Sequence, residues 1–108
     1  MKKVLTIAGS DCSGGAGVQA DLKTMTAHGV YGMSAFAMLT AQNTTGIQEI
    51  FDISPAFLAA QIDSCCKDIV PDATKTGALL DAGKISVAGE KTDSISPKNK
   101  VNNFFTII

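Results

Sequence analysis

Apolar positions fall into two alternating rhythms along the chain. Val4 to Ala8 is a short apolar run, β-branched at Val4, Thr6 and Ile7 and broken by Gly9, and it predicts a buried parallel strand. From Val18 the spacing turns helical: Val18, Leu22 and Met25 lie at i, i+4 and i+7, and Gly29 closes the helix just past His28. Tyr31 to Thr40 is apolar on both faces and predicts a second buried strand, after which AQNTTG turns the chain. Ile47 to Ile53 alternates like an edge strand. Ser54 followed by Pro55 predicts an N-cap with proline at the first helical position. Leu58, Ile62, Cys65, Cys66 and Ile69 then form one helical stripe, which Pro71 ends. Ala73 to Leu79 predicts another strand, leading to a helix near Asp81 to Gly89.

The order strand, helix, strand, strand, helix, strand, helix predicts an α/β fold. Its core is an open, mostly parallel sheet with right-handed crossovers. Ligands of such sheets sit beyond the carboxyl ends of the strands. Here those ends are Gly9 to Gly17, Thr40 to Gly46, and Gly77 onwards.

Composition narrows the partners. The 108 residues carry nine basic and ten acidic side chains, a balance that excludes nucleic acid and anionic membranes as partners. All nine cations are lysines, so the chain has no guanidinium fork for a phosphate. No apolar run approaches the roughly 20 residues of a membrane span, and MKKVLTIAGSD has too short an apolar segment for a signal peptide. Cys12, Cys65 and Cys66 have neither metal-ligand nor disulfide spacing. They read as small buried hydrophobes or bystanders in a cytoplasmic protein. Residues 1–80 hold most of the periodic signal. Residues 81–108 carry four lysines against three acids, include the polar run EKTDSISPKNKVNN and end on FFTII, and read as an atypical, truncated or altered tail.

Candidate chemistry gathers in the loop GSDCSGGAG, with four glycines in nine positions. Gly15 to Ala20 matches a dinucleotide fingerprint, but the loop from Ala8 is long for that turn, and Gln42 stands where a ribose-binding carboxylate is needed. A P-loop is excluded, because Gly15 occupies its lysine position. What remains is a loop whose N–H groups can approach a ligand at a helix N-terminus. Asp21 lies on the apolar side of the first helix and needs a hydrogen-bonding partner, from protein or ligand. Gln42 offers a donor and an acceptor in one amide, which suits a ring nitrogen beside an amino group; it reads equally well as a turn residue. Lys75, inside an apolar strand, calls for an ion pair. His28 fits a helix C-terminus, and Met25, Met33 and Met38 fit a core.

Thr6 to Thr24 (TIAGSDCSGGAGVQADLKT), Gly29 to Ile47 (GVYGMSAFAMLTAQNTTGI) and Pro71 to Leu80 (PDATKTGALL) resemble the amino-terminal part of the hydroxymethylpyrimidine/phosphomethylpyrimidine kinases of thiamine biosynthesis, within the ribokinase-like superfamily. The resemblance implies phosphorylation of an aminopyrimidine alcohol and its monophosphate with ATP and magnesium, in a cytoplasmic homodimer. It also implies a substrate pocket using the backbone of Gly9, Asp21 toward the hydroxymethyl group, Gln42 on the pyrimidine nitrogen and amino group, and Ala78 at the ring wall. The family usually has methionine at this last position. Family members are more than twice as long, and their later half supplies the catalytic, magnesium-side and nucleotide motifs. No catalytic or metal-binding residue is therefore expected in this chain, which should not transfer phosphoryl groups alone. Two other readings stand beside this one: a pyridoxine or pyridoxal kinase of the same superfamily, and a non-catalytic small-molecule-binding remnant.

Overall fold

The computed structural model describes residues 1–95 and 104–106. The chain runs as β1 (Lys3–Gly9), α1 (Gly17–Ala27), β2 (Tyr31–Asn43), β3 (Gly46–Asp52), α2 (Pro55–Asp68), β4 (Ala73–Thr76), α3 (Ala82–Ile95) and β5 (Phe104–Thr106). The strands form one sheet in the order β3-β2-β1-β4-β5. β1 is parallel to β2 and β4, β4 is parallel to β5, and only β3 runs antiparallel, to β2. The expected open, mostly parallel sheet is therefore present. Of the tail, Phe104–Thr106 pairs with β4, whereas residues 96–103 and 107–108 lie outside the described residues.

Alternation along β1 sets the layers. Leu5 and Ile7 are fully buried on one face, packed with Leu58 and Ile62 of α2 and Ala88 of α3. Thr6, between them, points to the other face, where its hydroxyl donates to Asp21 of α1. Helices thus cover both faces, as a period of two in a strand requires. Burial of each of the four large aliphatic side chains contributes roughly 1.5–3 kcal/mol relative to leaving it in water.

The helix ends follow local chemistry. Ser54 Oγ accepts from the Phe57 N–H at 3.1 Å, with Pro55 opening α2. α1 has no side-chain cap at Ala16. Its start is fixed by Gly17, at φ +57°, where a Cβ would lie 2.3 Å from the Gly9 carbonyl oxygen. Only glycine lets the end of β1 and the start of α1 approach so closely. At the far end, the His28 N–H reaches the Thr24 and Met25 carbonyls, and its Nδ1 lies 2.9 Å from the Thr24 oxygen.

Three boundaries differ from the sequence pattern. β2 continues through Gln42 to Asn43, so residues read as a turn are strand. The turn begins at Asn43, whose Oδ1 accepts from the Thr45 N–H at 2.9 Å and its hydroxyl at 2.6 Å. β4 stops at Thr76 rather than Leu79: the Gly77 N–H donates to the Ile7 carbonyl, and Leu80, at φ +80°, turns the chain toward α3. α3 continues past Gly89 to Ile95.

β2 and β3 leave the sheet as a two-stranded ribbon, and every β3 residue is exposed. At the ribbon's root the β1–β2 register slips. Ala8 faces Phe36 and Gly9 faces Met38, so Ala37 is a bulge. On the flank of β2 that β3 does not reach, the Gln61 carboxamide of α2 accepts from the Phe36 N–H and donates to the Phe36 carbonyl, both at 2.9 Å. A side-chain amide stands in there for a missing strand.

Candidate functional site

The carboxyl ends of β1 and β4, the ribbon, and the first turn of α1 enclose a cavity of about 370 Å³. Gly9, Asp21, Gln42 and Ala78 all line it, although they are up to 69 positions apart in the chain. Its location is the one that open parallel sheets favour.

At the floor, Lys75 Nζ lies 2.7 Å from Asp21 Oδ2, and the Thr6 hydroxyl donates to the same oxygen at 2.6 Å. Lys75 stands in register with Thr6, so strand alternation turns its ammonium toward α1 and the expected ion pair forms. Asp21 is thus held by protein partners while it lines the cavity.

The Gly-rich loop is ordered around Asp11, which is buried. Its Oδ1 accepts from the Ser13 N–H at 2.9 Å and the Ser13 hydroxyl at 2.7 Å, and its Oδ2 accepts from the Gly15 N–H at 3.0 Å. The Ser13 hydroxyl, followed by backbone N–H groups of Ser13, Ala16 and Gly15, outweighs burial and holds the Asp11 carboxyl below its usual range. Gln19 ties the loop to α1, accepting from the Asp11 N–H and donating to Ser10 Oγ, both at 2.8 Å.

On the opposite wall, Thr40 Oγ1 donates to the Ser10 carbonyl at 2.6 Å and lies 3.2 Å from the Gln42 side-chain amide. Gln42 pairs with Ile47 across the ribbon, and both face the cavity. Cys12 is not a buried hydrophobe. It is exposed, accepts from the Gln42 N–H and donates to the Gln42 carbonyl, both at 3.1 Å. Cys65 and Cys66 do pack against the core. Burial, with Cys65 and Asp63 nearby, pushes the Cys66 thiol up to about 11.

Thr6, Thr40 and Asp11 were not singled out by sequence. Asp11 had a signal, the Asp-x-Ser spacing of a side chain closing its own turn. Thr6 and Thr40 read simply as β-formers. Together the groups provide a charged acceptor at the floor, an amide at the mouth and small apolar walls at Ala8, Ala16 and Ala20. That combination suits a small, flat, polar heterocycle bearing a hydroxyl. Among the described residues no group of three or more His, Cys, Asp or Glu side chains is arranged to hold a metal ion, and no helix is long and apolar enough to cross a membrane.

The sequence model of the family described as phosphomethylpyrimidine kinase matches residues 11–103. The hydroxymethylpyrimidine/phosphomethylpyrimidine kinase of Escherichia coli K12 is 47% identical over 103 residues, covering 94% of this chain and 39% of the relative. The crystal structure of phosphomethylpyrimidine kinase from Clostridium difficile superposes with a TM-score of 0.85 at 44% identity, covering 91% of this chain and 42% of that one. An ADP complex of Bacillus subtilis pyridoxal kinase superposes with a TM-score of 0.84 at 37% identity, covering 98% and 40%. The chain thus spans about two fifths of the length of these three relatives.

Proposed function

The chain belongs to the phosphomethylpyrimidine kinase family, and on that premise we propose that it forms the substrate side of a kinase acting on a hydroxymethyl aminopyrimidine and its monophosphate in thiamine biosynthesis. The observation that carries this reading is the convergence of Gly9, Asp21, Gln42 and Ala78 on one cavity. In the proposed complex Asp21 accepts from the substrate hydroxymethyl group. The Gln42 amide pairs with a ring nitrogen and its neighbouring amino group, Gly9 contributes backbone, and Ala78 bounds the ring.

ATP supplies the phosphoryl group, with magnesium, in the reaction that family membership implies. The described residues of this chain do not fit the magnesium ion. Asp21 is paired with Lys75, Asp11 is taken up by its own loop, and no cluster of three ligating side chains exists among them. No phosphoryl-transfer step is assigned to them. Cytoplasmic location and assembly with a second copy belong to the same reading. Free thiols at Cys12, Cys65 and Cys66 support the first, and exposed Ile47, Ile50 and Phe51 on the ribbon support the second.

Isothermal titration tests the proposal. The chain should bind the hydroxymethyl aminopyrimidine, Gln42→Ala should weaken binding by about tenfold with little change in melting temperature, and the 108-residue polypeptide tested alone should show no ATP-dependent phosphorylation. Tighter binding of pyridoxine would support instead the pyridoxal kinase reading, which rests on the likeness to the Bacillus subtilis structure. Absence of binding to either alcohol sinks the pocket assignment.

A further inference from the structure

Lys84 of α3 has no exposed surface, and it does not line the cavity. An ammonium removed from water must be paired to persist there. Its partners come from three places. Nζ donates to the Ala37 carbonyl at 2.9 Å, to Asp52 Oδ1, and lies 3.4 Å from Asp81 Oδ2. Ala37 is the bulge at which β2 leaves the β1 ladder, and Asp52 is the last residue of β3, opposite Met38. The ammonium therefore sits at the root of the ribbon, holding both of its strands against the start of α3.

The geometry points to Lys84 as a positioning residue that fixes the angle of the ribbon and so brings Gln42 and Ile47 over the cavity. Gln42 lies four residues beyond Met38 along β2, a lever of about 13 Å at the usual rise of a strand. A tilt of about 10° at the root carries the Gln42 amide through roughly 2 Å, which is enough to break its hydrogen bonds with a ligand. Lys84 also reaches Asp81, in the turn that follows Gly77 and Ala78, so one cation ties two walls of the cavity together. The inference rests on the substrate reading proposed above for Gln42.

The test is a double-substitution cycle on the 108-residue chain, with binding of the hydroxymethyl aminopyrimidine measured by titration and amide hydrogen exchange measured on each variant. Lys84→Met should weaken binding about tenfold in the unsubstituted background. The same change should alter binding less than about twofold when Gln42 is already alanine, because the effect travels through that side chain. Ribbon amides from Leu39 to Glu49 should exchange faster in Lys84→Met, with those of β1 unchanged. Equal losses in both backgrounds, or no loss, overturn the inference, since a purely structural lysine acts additively. Asp52→Asn, at a more exposed position, breaks the same tie from the ribbon side and serves if Lys84→Met does not fold. If the unsubstituted chain binds no aminopyrimidine, the substrate reading fails, and unchanged or faster ribbon exchange alone then decides whether Lys84 holds the ribbon.

Discussion

Lys75 and Asp21, 54 positions apart in sequence, meet 2.7 Å apart at the floor of the cavity. Both side chains are largely out of water, at 11% and 15% exposure, so each depends on the other. Lys75→Met leaves a poorly hydrated carboxylate with the Thr6 hydroxyl as its one side-chain partner among the described residues, and should destabilise the chain by about 2–4 kcal/mol. Adding Asp21→Asn should recover part of that loss, because the unpaired charge is gone. Urea unfolding of the two single variants and the double variant measures the coupling.

Two glycines with similar backbone angles should respond differently to alanine. Gly17 and Gly29 have φ of +57° and +69°, but a Cβ at Gly17 meets the Gly9 carbonyl at 2.3 Å, whereas one at Gly29 meets nothing within 4 Å. Gly29→Ala should cost about 1 kcal/mol, the usual penalty for a left-handed alanine. Gly17→Ala must also push β1 away from α1, and should cost at least about twice as much. Thermal melts of the pair separate backbone strain from collision.

Acid should weaken the fold through three carboxyls. Asp11, Asp72 and Asp81 are each held below the ordinary 3.8, chiefly by the Ser13 hydroxyl, the Lys3 N–H and the Lys84 N–H respectively. A carboxyl whose pKa is lower folded than unfolded stabilises the fold fully above the ordinary value. That contribution disappears as pH falls through the lowered one. Stability should therefore be flat near neutrality and decline below about pH 4. Asp11→Asn should make the decline shallower in urea midpoints recorded against pH.

Leu80 occupies the left-handed region at φ +80° with its side chain half in water. Relief of that strain by glycine is worth roughly 1–2 kcal/mol, against roughly 0.5–1 kcal/mol for the added freedom of the unfolded chain. Leu80→Gly should raise stability by about 0.5–1 kcal/mol, a small upward shift in a thermal melt. A lower melting temperature would mean that the side chain packs more usefully than its exposure implies.

Strands and helices with one or two buried faces were legible because their apolar spacing is a direct record of what they pack against. Val18, Leu22 and Met25 announced α1, and Ser54 with Pro55 announced the start of α2. The end of β2 at Asn43 is not legible in AQNTTG, because Gln42 and Asn43 are polar turn formers and only pairing with β3 makes them strand. The run Ala73 to Leu79 reads as strand throughout, since nothing in it marks Gly77 as the last residue bonded to β1. Asp21 and Gln42 were legible as site candidates because polar groups stood where the pattern called for apolar or ligand-facing positions. Lys84 was not, because a lysine on a helix reads as solvated until Ala37, Asp52 and Asp81 are seen to surround it.

The Gln61 carboxamide has a consequence for how the molecule behaves in a crowd. Along Tyr31–Ala37, β2 is paired among the described residues with β1 on one side only, and a bare strand flank can template zippering with another chain. By taking both backbone groups of Phe36, Gln61 occupies a rung that an incoming strand would need. One side chain of α2 thereby closes, at Phe36, a rung of the sheet that backbone pairing leaves open.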